Sequence, residues 1–249
     1  MNILGIIPAR YASTRFPGKP LVEISGKSMI QRVYEQALKS TFLSEVVVAT
    51  DDERILLHVN SFGGRAILTS PDHQSGTDRC AEVINKLPGF DYAVNIQGDE
   101  PFIHPGQIDL LCSCFDNKDT GLATLVKQID SNDDLINPNI PKVVLNTNSE
   151  AIYFSRTTIP HFRGKPITEW LSNQIYYKHI GIYGYRIDIL NLITKLPVSN
   201  LEKAEALEQL RWIENGYRIK VAITDKETFA VDTPDDLEKI LKNLGGQSL

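Results

Sequence analysis

Cysteine, methionine and tryptophan are scarce in this chain: three, two and two residues among 249. Cys80, Cys112 and Cys114 form an odd set with no CxxC spacing, so the expectation is reduced, mostly buried thiols in a cytoplasmic protein. No apolar run approaches the length of a membrane span. Met1 to Pro8 is apolar but has neither a basic leader nor a small-residue cleavage site, so it reads as structure rather than as a signal peptide. An excess of positive charge is missing too. Lys and Arg number 26 against 31 Asp and Glu, a net charge of −5, which argues against a general nucleic-acid binder. An anionic substrate held by a local basic patch is still compatible with that balance. What is present is an ordinary globular composition, 42% hydrophobic. A chain of this length buries roughly three-quarters of its unfolded surface without staples.

Short apolar runs alternate with helical patterns through the first half. Strands are predicted at Asn2 to Pro8, Glu45 to Thr50, Ala66 to Thr69 and Tyr92 to Gln97. Helices are predicted at Ser28 to Ser40, Asp52 to Phe62, Gly76 to Leu87 and Pro105 to Phe115, the first presenting Met29, Val33, Tyr34, Ala37 and Leu38 on one face. This rhythm predicts an α/β fold with a mostly parallel central sheet flanked by helices. After about Leu122 strands cluster: Leu122 to Gln128, Lys142 to Leu145, Ala151 to Phe154 and Tyr176 to Tyr185. His161 to Asn173 reads as a loop or arm, Glu202 to Asn215 as one helix, Arg218 to Thr224 as a strand and Pro234 to Leu244 as a closing helix. With no repeat or linker, the expectation is one domain, residues 1–249, whose second half carries an inserted, more antiparallel part.

Ligands of open α/β sheets bind beyond the carboxyl ends of the strands. The first such end, Pro8 to Lys19, holds Arg10, Arg15 and Lys19 with no acidic residue before Glu23, and Ser13, Thr14 and Gly18 add hydroxyls and permissive backbone. Guanidinium forks and a lysine ammonium suit a polyphosphate, although the Walker spacing is absent and a solvated basic loop has the same composition. A second end, Gln97-Gly98-Asp99-Glu100-Pro101, sets a carboxylate beside a glycine, where it can reach a magnesium ion shared with substrate phosphates. A third, Phe229 to Pro234, repeats the design with Asp232, which can equally cap the final helix.

These motifs resemble the 3-deoxy-manno-octulosonate (Kdo) cytidylyltransferase family. The resemblance rests on P-A-R-Y-x-S-T-R-F-P-G-K at 8–19, S-G-T-D-R at 75–79 and N-I-Q-G-D-E-P at 95–101. Y-F-S-R at 153–156, H-I-G-I-Y-G-Y-R at 179–186, L-E-Q-L-R at 207–211 and V-D-T-P-D-D-L at 231–237 extend it along nearly the whole chain. It implies a glycosyltransferase-A-like nucleotidyltransferase fold and transfer of CMP from CTP to Kdo with release of pyrophosphate, for the inner core of lipopolysaccharide. It also implies a cytoplasmic, magnesium-dependent enzyme, usually a homodimer, with no nucleic-acid or membrane partner.

On that resemblance the first half, 1–120, binds CTP, and 121–249 binds sugar and dimerises. Arg10, Lys19, Asp99 and Asp232 are the expected catalytic residues, the two aspartates holding one or two magnesium ions. Pro8, Ala9, Arg10, Ser13, Arg15, Lys19, Ser75, Gly76, Thr77, Gln97 and Gly98 are expected around the nucleotide. Ser75 to Asp78 equally suit a helix N-terminus. Gln97, Arg156, His179, Tyr183, Glu205 and Gln209 are expected around the sugar acid, with Glu205 and Gln209 four apart on one helix face. His179 also suits a structural histidine in an apolar strand. The nearest rival is a cytidylyltransferase for another 2-keto sugar acid, either sialic acid or an amino-substituted Kdo. A nucleotide-binding regulatory protein should have lost Lys19, Asp99 or Asp232, and a dinucleotide-binding oxidoreductase needs a GxGxxG that positions 8–19 lack.

Overall fold

The structure is a computed structural model and describes residues 1–12 and 16–245. Ser13, Thr14 and Arg15 therefore lie outside the described residues. The chain forms two compact units, Met1–Asp109 with Thr228–Leu249, and Leu110–Glu227.

The first unit contains β1 (Ile3–Ala9), β2 (Glu23–Ile24), β3 (Lys27–Ser28), α1 (Met29–Ala37), β4 (Glu45–Thr50), α2 (Glu53–Ser61), β5 (Ala66–Leu68), α3 (Gly76–Lys86) and β6 (Tyr92–Asn95). Then α4 (Pro105–Ser113) carries the chain onward. Strands run parallel in the order β6-β1-β4-β5. β1 and β4 are mostly Ile, Leu, Val and Ala and almost wholly buried, as a parallel strand covered on both faces requires. Each helix start has a local cause. Ser28 accepts from the Gln31 N–H at α1, Asp52 from the Arg54 N–H at α2, and Ser75 forms a capping box with Asp78 at α3. Helix α1 buries Met29, Ile30, Val33, Tyr34 and Ala37, but Leu38 is 55% exposed, contrary to expectation. The helix ends at Ala37, where the Leu38 N–H bonds to Tyr34 and Gln36 carbonyls and the next side chain leaves the buried stripe.

The second unit contains β7 (Leu122–Gln128), α5 (Asn132–Ile136), β8 (Lys142–Leu145), β9 (Ala151–Ser155), α6 (Trp170–Asn173), β10 (Tyr177–Arg186), α7 (Ile187–Ile193), α8 (Asn200–Glu205), α9 (Gln209–Glu214) and β11 (Ile219–Thr224). Here pairing is mixed: β11 lies parallel to β7, whereas β10 is antiparallel to β7 and β8, and β8 to β9. The stretch 161–173 is more ordered than a loop. Trp170 joins Ile129, Leu135 and Tyr176 in an apolar cluster, and its indole N–H donates to the Lys165 carbonyl at 2.9 Å. The expected single helix over 202–215 is two helices, because Ala206 sits between them in the left-handed region at φ 50°.

The chain then returns to the first unit and ends in α10 (Pro234–Gly245). Phe229 to Val231 form no strand, against the expectation of a second strand leading to an aspartate. The segment is extended by one backbone bond, from the Val231 N–H to the Asp99 carbonyl at 2.9 Å, while Val231 is buried with Ile24 and Met29.

Candidate active site

Because β1, β4, β5 and β6 are parallel, the segments that follow them emerge at one edge of the first unit's sheet. After β1, the Tyr11 carbonyl accepts from the Gly18 N–H at 3.0 Å. Gly18 has φ 71° and starts the short turn Lys19–Leu21, which aims Lys19 inward. The turn after β6 carries Gln97 to Glu100. Gly98 packs so tightly on Pro8 that a Cβ would lie 2.7 Å from the Pro8 carbonyl oxygen. Gly76, the first residue of α3, approaches both Pro8 and Asn95. Pro8, Gly76, Asn95 and Gly98 thus form one tightly packed floor.

Above it three charged groups converge. The Lys19 ammonium lies 2.8 Å from Asp99 Oδ2 and 3.5 Å from Asp232 Oδ1. The Val231–Asp99 backbone bond sets the second aspartate beside the first. The capping alternative for Asp232 is answered locally. Thr233 Oγ1 accepts from the Asp236 N–H at 3.3 Å, and the Asp236 carboxylate accepts from the Thr233 N–H at 3.0 Å, so this pair caps α10. Glu100, a residue the sequence reading did not select, is buried directly behind. Burial and the neighbouring Asp99 charge push its carboxyl up to about 8.

Two carboxylates meeting at one cation suit magnesium, which takes one or two carboxylates and completes its shell with water and substrate phosphates. Among the described residues no group of three or more His, Cys, Asp or Glu stands ready to hold a metal.

Arg10 sits farther along. One of its Nη atoms donates to the His73 carbonyl, which ties the first loop to the segment leading to the α3 cap. Arg79, the last residue of the S-G-T-D-R motif, is fully buried one turn into α3, donates to Thr69 Oγ1 and lies 3.5 Å from Asp51 Oδ1. Its signal in the sequence was a single arginine on the buried face of an otherwise apolar stripe.

The remaining candidates belong to the second unit. Arg156 spends its guanidinium on the carbonyls of Pro138, Glu205 and Ala206, at 3.1, 2.6 and 3.2 Å. Glu205 accepts from the Ser155 hydroxyl at 2.7 Å and the Arg156 N–H at 2.9 Å. These two hold each other and the end of α8. Glu205 and Gln209 do not share a helix face, since Ala206 breaks the helix between them. Lys142, fully buried, underpins the same corner by donating to the carbonyls of Asn137, Ile140 and Arg156 at 2.6, 2.8 and 3.0 Å.

Beside this corner lie His179, Tyr183 and Gln209. His179 packs edge-on against Phe154, and Tyr183 against Trp212 of α9, each at 5.2 Å between centroids. The Tyr183 hydroxyl and Gln209 Nε2 are buried without a hydrogen-bond partner, so both have capacity for a polar ligand. Burial pushes the His179 imidazole down to about 3 and the Tyr183 phenol well above its ordinary range. His179 is thus neutral near pH 7.

The class follows from a family match: residues 4–221 match a family described as Cytidylyltransferase. A solved CMP:2-keto-3-deoxy-manno-octonic acid synthetase complexed with CTP superposes with a TM-score of 0.92 at 44% identity, covering 99% of each chain. A cytidylyltransferase from Leptospira borgpetersenii, at 15% identity and TM-score 0.66, shares the fold. The 3-deoxy-manno-octulosonate cytidylyltransferase of Parabacteroides distasonis is 59% identical over 99% of this chain and 100% of its own length. That of Thermodesulfovibrio yellowstonii is 51% identical over the full length of both. The chain belongs to the 3-deoxy-manno-octulosonate cytidylyltransferase family.

Proposed function

We propose that the protein transfers CMP from CTP to Kdo, giving CMP-Kdo and pyrophosphate. The observation that carries this reading is the convergence of Lys19 on Asp99 and Asp232 at the sheet edge that follows the Pro8–Lys19 loop. The attacking sugar hydroxyl forms a new bond to the α-phosphorus while the bond to the β-phosphate bridging oxygen breaks, and the hydroxyl proton leaves to solvent. Lys19 faces the negative charge that grows on the transferring group. Arg10, with Arg15 and Ser13, holds the triphosphate. Asp99 and Asp232 would hold magnesium, which when bound neutralises phosphate charge and acidifies the attacking hydroxyl. Pro8, Ala9, Ser75, Gly76, Thr77 and Gly98 take the cytosine, where close backbone favours a pyrimidine over a purine.

His179, Tyr183 and Gln209 of the second unit take the sugar acid, with Arg156 and Glu205 bracing the corner beside them. A homodimer joined through the second half of the chain, and a cytoplasmic location, belong to the same reading. No described helix is long and apolar enough to cross a membrane.

The test is pyrophosphate release across a matrix of CTP, UTP, ATP and GTP against Kdo, amino-substituted Kdo and sialic acid. CTP with Kdo should dominate, with UTP poor and the purine nucleotides near background. Equal turnover with ATP overturns the nucleotide assignment, and preference for sialic acid overturns the sugar. Light scattering at micromolar concentration should show twice the 27.9 kDa chain mass.

A further inference from the structure

Strand β10 carries an irregularity beside the sugar-side residues. Ile180 pairs with Leu125 of β7, yet the next paired residue, Tyr183, faces Thr124, so Gly181 and Ile182 are left over in a bulge. The bulge turns two carbonyls toward one side chain. Thr124 Oγ1 lies 2.7 Å from the Ile182 carbonyl oxygen and 3.4 Å from that of Ile180. It also lies 2.9 Å from Nε2 of His179.

A hydroxyl has one proton. If Thr124 gave that proton to His179, its lone pairs would confront the Ile182 oxygen at 2.7 Å with no hydrogen between two acceptors. The proton therefore goes to Ile182, and the hydroxyl oxygen accepts from His179 Nε2–H. A neutral imidazole holds one N–H, so Nδ1 is left with its lone pair. Neutrality follows from the surroundings as well. The ring is enclosed by Phe154 and Tyr183, each at 5.2 Å, and its one polar partner among the described residues is the Thr124 hydroxyl.

We propose that Thr124 is a positioning residue that fixes His179 in its Nε2–H tautomer, so that Nδ1 accepts a hydrogen bond from a hydroxyl of the sugar acid. The ligand half of this inference rests on the function proposed above, whereas the tautomer half does not. A neutral acceptor discriminates by chemistry: it takes a sugar hydroxyl and gives nothing to a carboxylate. The carboxylate of the sugar acid must then be met by donors or cations other than His179. The Tyr183 hydroxyl, beside the His179 ring, and Gln209 Nε2 are buried donors without a partner.

The experiment is nitrogen-15 NMR of the histidine side chains in the full-length protein at pH 7, with His179→Gln supplying the assignment. Wild type and Thr124→Ser should show His179 protonated at Nε2 alone. Thr124→Val, which keeps the shape and loses the acceptor, should lose that signature. Its KM for the sugar acid should rise about tenfold while KM for CTP stays within twofold, and Thr124→Ser should restore the sugar KM. An Nδ1–H tautomer or an imidazolium in the wild type overturns the proposal, and that spectrum decides even if Thr124→Val does not fold. The expected tautomer with an unmoved sugar KM in Thr124→Val overturns the hydroxyl contact. Absence of turnover with every sugar acid overturns the functional reading instead, with the tautomer still read directly.

Discussion

Gly98 rests on the carbonyl oxygen of Pro8, leaving 2.7 Å for an atom that would need more than 3 Å. The contact joins the turn after β6 to the end of β1 and so sets the height of Asp99 against Lys19. Gly98→Ala is expected to lower unfolding free energy by about 1–3 kcal/mol, the usual cost of overpacking. Turnover should fall by more than the lost stability accounts for, because the turn moves Asp99. Denaturant unfolding and turnover on one preparation check both parts, and an unchanged midpoint refutes the packing argument.

Asp232 and Thr233 are neighbours with separable jobs. Asp232→Asn should keep unfolding free energy within about 0.5 kcal/mol, since Thr233 and Asp236 supply the cap. It should still lose about a hundredfold or more in magnesium-dependent turnover. Thr233→Ala should do the reverse, losing about 1 kcal/mol of stability with turnover changed only a few-fold. Melting curves and initial rates on the two variants decide, and an active Asp232→Asn enzyme would leave Asp99 as the sole carboxylate ligand.

Lys142 gives its ammonium to three backbone carbonyls in a site with no water contact. Lys142→Met preserves length and apolar bulk but leaves those oxygens unsatisfied. A loss of about 3 kcal/mol is expected. Because one of the three is the Arg156 carbonyl, KM for the sugar acid should rise more than KM for CTP. Equal changes in both would mean that the corner does not shape the sugar side.

His179 contributes to acid sensitivity with a definite sign. Its folded pKa, pushed down to about 3 by burial, lies below its ordinary value of 6.5. Between those limits the unfolded chain binds a proton that the folded protein refuses. The contribution is intact above pH 6.5 and is lost progressively as pH falls toward 3, at up to about 1.4 kcal/mol per pH unit. His179→Gln should therefore flatten the decline in stability between pH 6.5 and 4. Parallel acid limbs for the two proteins would show that the imidazole titrates normally.

Local chemistry made much of the fold legible. β4, β7 and β8 fall where their apolar runs begin and end, and Ser28, Asp52 and Ser75 mark helix starts by capping a neighbour. Lys19, Asp99 and Asp232 were selected as strand-end charges, and the structure brings them together. The failures were non-local. Nothing between Ser199 and Asn215 announces a break, for no Gly or Pro interrupts the pattern. The carbonyls of Glu205 and Ala206 are instead taken by Arg156, some fifty positions earlier. Likewise Phe229 to Val231 read as a strand from their side chains, but their one ladder-like bond goes to a turn at Asp99. Lys142 reads from the sequence only as the first residue of β8; its burial depends on carbonyls of the loop just before it, at Asn137 and Ile140, and on that of Arg156 after β9.

The first unit is discontinuous, closed by residues that follow Glu227. During synthesis Lys19 and Asp99 leave the ribosome early, and Asp232 leaves only after every residue of the second unit. A nascent chain thus carries a basic loop with one carboxylate partner for most of its translation. The full charge constellation forms as a late event, so an interrupted translation product lacks the carboxylate that completes it.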